Sequence, residues 1–154
     1  MPTTRFRVML WSVRQAYFRD VLFAGAAATV LSGIPSTLWA LLRGEDVTEA
    51  TRAAGAMLLP AASSLPSLVV AAAVVHTAIS FFWAALLVRV LPRRHVIASA
   101  IAAALIVGLI DLKLIAPAFF PEVAALPFLP QMADHAMWGA ALGVALAYRW
   151  RERG

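Results

Sequence analysis

Four apolar segments, each close to the length that crosses a bilayer, make up most of this chain: residues 21–42, 65–91, 96–115 and 133–150. At 22, 27, 20 and 18 residues, each is near the roughly 20 that span ~30 Å of hydrocarbon as a helix. The second is long enough to tilt. The first reads as a true span, because its apolar run exceeds a signal-peptide core and Pro35 follows without a cleavage pattern. With 62% hydrophobic and 14% charged residues over 154 positions, the composition fits one membrane domain and no second sizeable one.

Arginine placement orients these spans. Arg5, Arg7, Arg14 and Arg19 precede the first, Arg89, Arg93 and Arg94 lie between the second and third, and Arg149, Arg151 and Arg153 follow the fourth. Ten basic residues thus share one side, against Arg43, Arg52 and Lys113 on the other. The positive-inside rule places both termini in the cytoplasm. The net charge of +5 is accounted for by this belt, so nucleic acid is not an expected partner; the lipid bilayer is. Twelve of the thirteen basic residues are Arg, which with the abundant Ala suggests a bacterial chain and a bacterial inner membrane.

The expected fold is therefore all-α: an integral-membrane four-helix bundle, N-in and C-in, formed by residues 21–154. Residues 1–20 form a basic amphipathic segment. Over residues 5–18, Phe6, Met9, Leu10, Val13 and Tyr17 recur at helical spacing among arginines, which suits an anionic cytoplasmic surface. On the outer side, Asp46-Val-Thr-Glu49 matches a capping box and predicts a short amphipathic helix over 48–59, stopped by Pro60. Residues 116–131 carry Pro117, Pro121, Pro127 and Pro130 beside Phe119, Phe120 and Phe128. That segment is too proline-rich for a span and too apolar for a free loop. It is expected at the interface or folded back as a lid.

Within the spans stand groups that hydrocarbon rejects: His76, Asp111, and Asp134 with His135. An ionisable side chain there costs several kcal/mol unless paired or hydrated, so each marks a functional-site candidate. Asp111, Gln131, Asp134 and His135 fall within about two turns of the outer interface at ~1.5 Å per residue. His76 lies roughly 16 Å deep by the same rise, with Ser80 one turn along the same face. Ser32 and Ser36 flank the kink expected at Pro35, which frees a backbone carbonyl for a polar partner. Together these predict a polar pocket that opens outward and is floored by His76.

Each group also has a plainer role. His76 with Ser80 fits an interhelical hydrogen-bond clamp, Asp111 a pair with His135, and Asp134 the N-cap of the fourth helix. Gly139 and Gly143 form a GxxxG step that favours close packing within the monomer or against another subunit. No cysteine is present, which removes thiolate metal sites and disulfide chemistry. No HExxH, phosphate loop or GxSxG elbow occurs. Asp134 and His135 point about 100° apart on an ideal helix, which disfavours one shared metal ion. No metal or cofactor is expected.

The stretches Pro35-Ser-Thr, Ile110-Asp-Leu-Lys113 and Pro130-Gln-Met-Ala-Asp-His135 resemble small uncharacterised multi-pass inner-membrane proteins of bacteria, a resemblance that covers most of the chain from the first span onward. It implies the architecture and no established activity. Three functions stay open. The leading one is a non-enzymatic structural or accessory subunit whose polar groups lock the bundle; the other two are alternatives to it. The second is an oligomeric small transporter or channel component with an Asp/His relay, which requires a homo-oligomer or a membrane-protein partner. The third is an integral-membrane enzyme or metalloprotein.

Overall fold

The computed structural model describes the backbone of residues 3–153 and the side chains of residues 14–153. Regular structure there is wholly helical, at 81%. Helix α1 (Thr3–Leu31) runs unbroken from the basic segment into the first apolar run, and α2 (Ile34–Arg43) continues it after a break at Ser32 and Gly33. Pro35 causes the break: it lacks the N–H for residue 31 and its ring crowds that carbonyl. The anchors Phe6, Met9, Leu10 and Val13 lie outside the described side chains.

Then come α3 (Glu49–Gly55), α4 (Leu65–Val90) and α5 (Val96–Ile110). A π-turn over Asp111–Ile115 joins α5 to α6 (Ala116–Phe119); α7 (Pro121–Ala124) and α8 (Phe128–Arg151) follow. Among the described residues, three stretches are long and apolar enough to cross a membrane: Arg14–Arg43, Leu65–Val90 and Val96–Phe119. Helix α8 is 24 residues long but more polar.

The sequence expectation needs three adjustments here. The fourth apolar run is part of a helix that begins at Phe128, not 133. Pro130 is its third residue, where the missing N–H would have no partner in any case, so Gln131 belongs to α8 and not to a loop. The expected Pro-rich loop is short helical turns, and α7 packs back on α3. The capping box is replaced by an Asx turn: Asp46 Oδ1 accepts the Thr48 N–H (2.8 Å) and hydroxyl (2.7 Å), while Oδ2 pairs with Arg52. These Thr48 bonds, with the Arg52 charge, hold the Asp46 carboxyl below the usual carboxylate range.

Helix α8 packs on α5 and α1, and α4 packs on α1 and α3. The GxxxG step makes the α5–α8 seam. A Cβ on Gly139 would meet Ala100 O and Ala104 Cβ at 2.7 Å, and one on Gly143 would meet Ile97 Cα at 2.7 Å. The close approach is thus within the chain.

The arginine-flanked ends meet at one end of the bundle. Tyr17 donates to Ala85 O (2.6 Å) beneath the Arg89 guanidinium, and Arg93 stacks over Trp150. Asp20, only 3% exposed, accepts from Trp150 Nε1 (3.0 Å), Arg149 Nε (3.2 Å) and Arg153. The buried core, from Val21, Ala24 and Ala28 through Leu87, Ala100, Leu142 and Leu146, fills this basic half. The other half is where the packing opens.

Candidate polar chamber

Two adjoining cavities occupy that half. The inner one, about 160 Å³, is lined by Ser32, His76, Ser80, Asp111, Gln131, Asp134 and His135, with Trp83, Val107 and Trp138 among its apolar walls. The outer one, about 380 Å³, includes Ser36, Trp39, Glu45, Asp46 and Glu49. Gly33, His76, Gln131 and Asp134 line both. Seven of the eight polar residues singled out in the sequence therefore converge on one chamber, and Ser36 lies in its vestibule.

Three of these groups are helix locks. Thr29 O sits in the break before Pro35, where Ser32 N–H bonds Ala28 O and Thr37 N–H bonds Gly33 O. His76 Nε2 lies 3.0 Å from Thr29 O and 3.0 Å from Ser32 Oγ, and the Ser32 hydroxyl is 3.3 Å from Thr29 O. A carbonyl only accepts, so the consistent arrangement has Nε2–H donating to it. His76 thus engages the Thr29 carbonyl beside the break, two residues before the Leu31 carbonyl that Pro35 leaves without an N–H, a bond of about 0.6–1.7 kcal/mol by the range seen between membrane helices. Trp138 Nε1–H donates to Ser80 Oγ (3.2 Å) in a buried contact between α8 and α4.

Asp134 departs from the expected capping role. It is not the N-cap of the fourth helix, because α8 has already run six residues when it is reached. Its Oδ1 instead accepts the Ser36 N–H at 2.9 Å. That N–H is one of the unpaired donors at the start of α2, so α8 caps the helix that the Pro35 break creates.

The floor also differs from expectation. His76 stands in the wall shared by both cavities, and the inner end is closed one turn deeper by Ser80, Trp83 and Trp138. Trp138 carried no signal in the sequence beyond being aromatic, and only its pairing with Ser80 reveals its place.

Asp111 and His135 are left without a locking role. His135 Nδ1 lies 2.9 Å from Gln131 O on its own helix, and Nε2 lies 3.5 Å from Asp111 Oδ2. The side chains remain 24% and 27% exposed. Two local features make the meeting possible. A Cβ at position 108 would stand 2.7 Å from His135 Cγ, so glycine alone admits the ring against α5. The π-turn starts at Asp111, with Ala116 N–H reaching back to Asp111 O. Pro117 accounts for it: widening the turn relieves the clash of its ring with the Lys113 carbonyl. Lys113 itself extends over the Phe128 ring, 4.3 Å from its centroid.

Among the described residues no cluster of three or more His, Asp or Glu is arranged to hold a metal ion. Comparison with known protein families, curated proteins and solved structures returned no match.

Proposed function

We propose that this chain is a four-span protein of the bacterial inner membrane, with both termini cytoplasmic, and that its chamber admits a small polar solute or cation from the outer side as part of an oligomeric transporter or channel component. One observation carries the reading: polar groups from α4, α8, the π-turn and the α1–α2 break converge on a cavity that shares its wall with an outer vestibule, where Glu45 and Asp46 pair with Arg43 and Arg52 and Glu49 adds a further carboxylate. Orientation follows from the basic belt, since Tyr17, Arg89, Arg93, Arg149 and Arg153 gather at one end, and the positive-inside rule makes that end cytoplasmic. Helix α8 is the fourth span, its polar positions turned inward to the chamber.

The accessory-subunit reading keeps one specific support: His76, Asp134 and Ser80 are already committed to interhelical bonds. Asp111 and His135 separate the two. Purified protein in liposomes, read with proton- and sodium-sensitive dyes, should pass one of these cations faster than protein-free vesicles. Asp111→Asn and His135→Ala should abolish that flux while remaining folded. Flux no greater than in empty vesicles, or a strictly monomeric protein in detergent and nanodiscs, would leave the accessory role.

A further inference from the structure

The bonding of His135 fixes one of its protons and raises the question of another. Nδ1 is 2.9 Å from Gln131 O, and because a carbonyl only accepts, Nδ1 carries hydrogen. Nε2 faces Asp111 Oδ2 at 3.5 Å. A neutral ring with its hydrogen on Nδ1 would aim the Nε2 lone pair at a carboxylate oxygen, acceptor against acceptor. The ring is held in this pose from both sides, by the Gln131 bond and by its packing over Gly108. One proton between Nε2 and the carboxylate removes the conflict.

We propose that the Asp111–His135 pair binds one exchangeable proton, and that the proton is the species the chamber admits. The second clause rests on the transport reading above; the first does not. The surroundings favour a proton on the pair. Helix α8 presents Asp134 to the same chamber, so an unprotonated pair would place two carboxylates there with no cation between them. From α4 comes His76, whose Nε2 is engaged by Thr29 O and Ser32, and the break between α1 and α2 adds only the Ser32 hydroxyl. The nearest ammonium, Lys113 on the π-turn, lies over Phe128. The pair itself must therefore supply the compensating positive charge.

Access and exchange are also built in. A cavity of about 160 Å³ has room for about five waters at ~30 Å³ each, enough for a chain from the vestibule. A 3.5 Å separation is longer than a formed hydrogen bond, so one water or a slight ring movement suffices for transfer. On loading, an O–H bond of a chamber hydronium breaks, the N–H bond at Nε2 forms, and water is left behind. Release reverses both changes, and nothing is oxidised or reduced. The buried Ser80 and Trp138 line the deeper end, so exchange is expected from the vestibule side.

Nitrogen NMR of ring-labelled histidine in the full chain, in nanodiscs at neutral pH, tests this directly. Wild type should show hydrogen on both His135 nitrogens. Asp111→Asn, whose amide can donate to Nε2, should lose the Nε2 hydrogen and keep the one on Nδ1. Asp111→Glu should retain the wild-type pattern. A bare Nε2 in wild type, or an unchanged pattern in Asp111→Asn, overturns the proposal, and the wild-type spectrum decides alone if the variant does not fold. The flux measurement separates the two readings. A protonated Nε2 without flux keeps the site and removes transport, whereas sodium flux with a bare Nε2 keeps transport and removes the proton.

Discussion

Replacing Gly139 with leucine should destabilise the bundle by about 3 kcal/mol, the upper part of the usual range for overpacking a well-filled core. Two effects oppose each other here. Leucine favours the helix over glycine, by up to about 1 kcal/mol. Against that, even a single Cβ at 139 would meet a backbone carbonyl and a backbone Cα of α5 within 2.8 Å, and backbone cannot rotate away. Steric conflict therefore wins, and leucine adds three further carbons to it. Helices α5 and α8 must separate, which also draws Asp111 from His135. Reversible unfolding in mixed micelles measures the loss. Val144→Leu supplies the control, because Val144 is 55% exposed and should change stability little.

Removing the Asp20 carboxylate should have a comparable effect at the basic end. Asp20 joins α1 to the end of α8 through Arg149, Trp150 and Arg153. Breaking a buried ion pair by deleting one partner costs about 3–5 kcal/mol. Arg149 and Arg153 are 24% and 36% exposed and can turn to water or lipid headgroups once released, so Asp20→Ala should fall near the lower figure, about 3 kcal/mol. Asp20→Asn should lose less, since its oxygen still accepts from Trp150. The unfolding midpoint reads the energy, and a shift in Trp150 emission shows that the loss is local. A neutral result for Asp20→Ala would mean that the two helix ends do not depend on this contact.

These residues also show why some of the fold was legible and some was not. On the membrane reading an isolated polar group in hydrocarbon is so costly that His76, Asp111 and His135 need partners, and the expectation that they converge came from that rule. The GxxxG step reads equally well, because glycine at helical spacing has little purpose except close approach. Partners set by backbone breaks were hidden. Asp134 resembles a cap for its own helix, and it caps α2 only because Pro35 starts a new helix inside a span. Pro117 marks a disruption, but not that a π-turn would absorb it and carry Asp111 at its first position. Asp20 was obscured by its setting: among flanking arginines an acid looks solvated, and only the return of α8 to the same end buries it.

The most direct test of a one-sided chamber uses the absence of native cysteine. Ala73→Cys would stand in the vestibule and Val107→Cys in the inner chamber, while Ile106→Cys, one position away on α5, faces outward. A small membrane-impermeant thiol reagent applied to the outer face should label position 73 quickly, position 107 more slowly and position 106 not at all. The same reagent applied to the cytoplasmic face of inverted vesicles should label none of the three. Labelling of position 107 from the cytoplasmic face alone, or equal labelling of 106 and 107, would contradict a chamber open only to the outside.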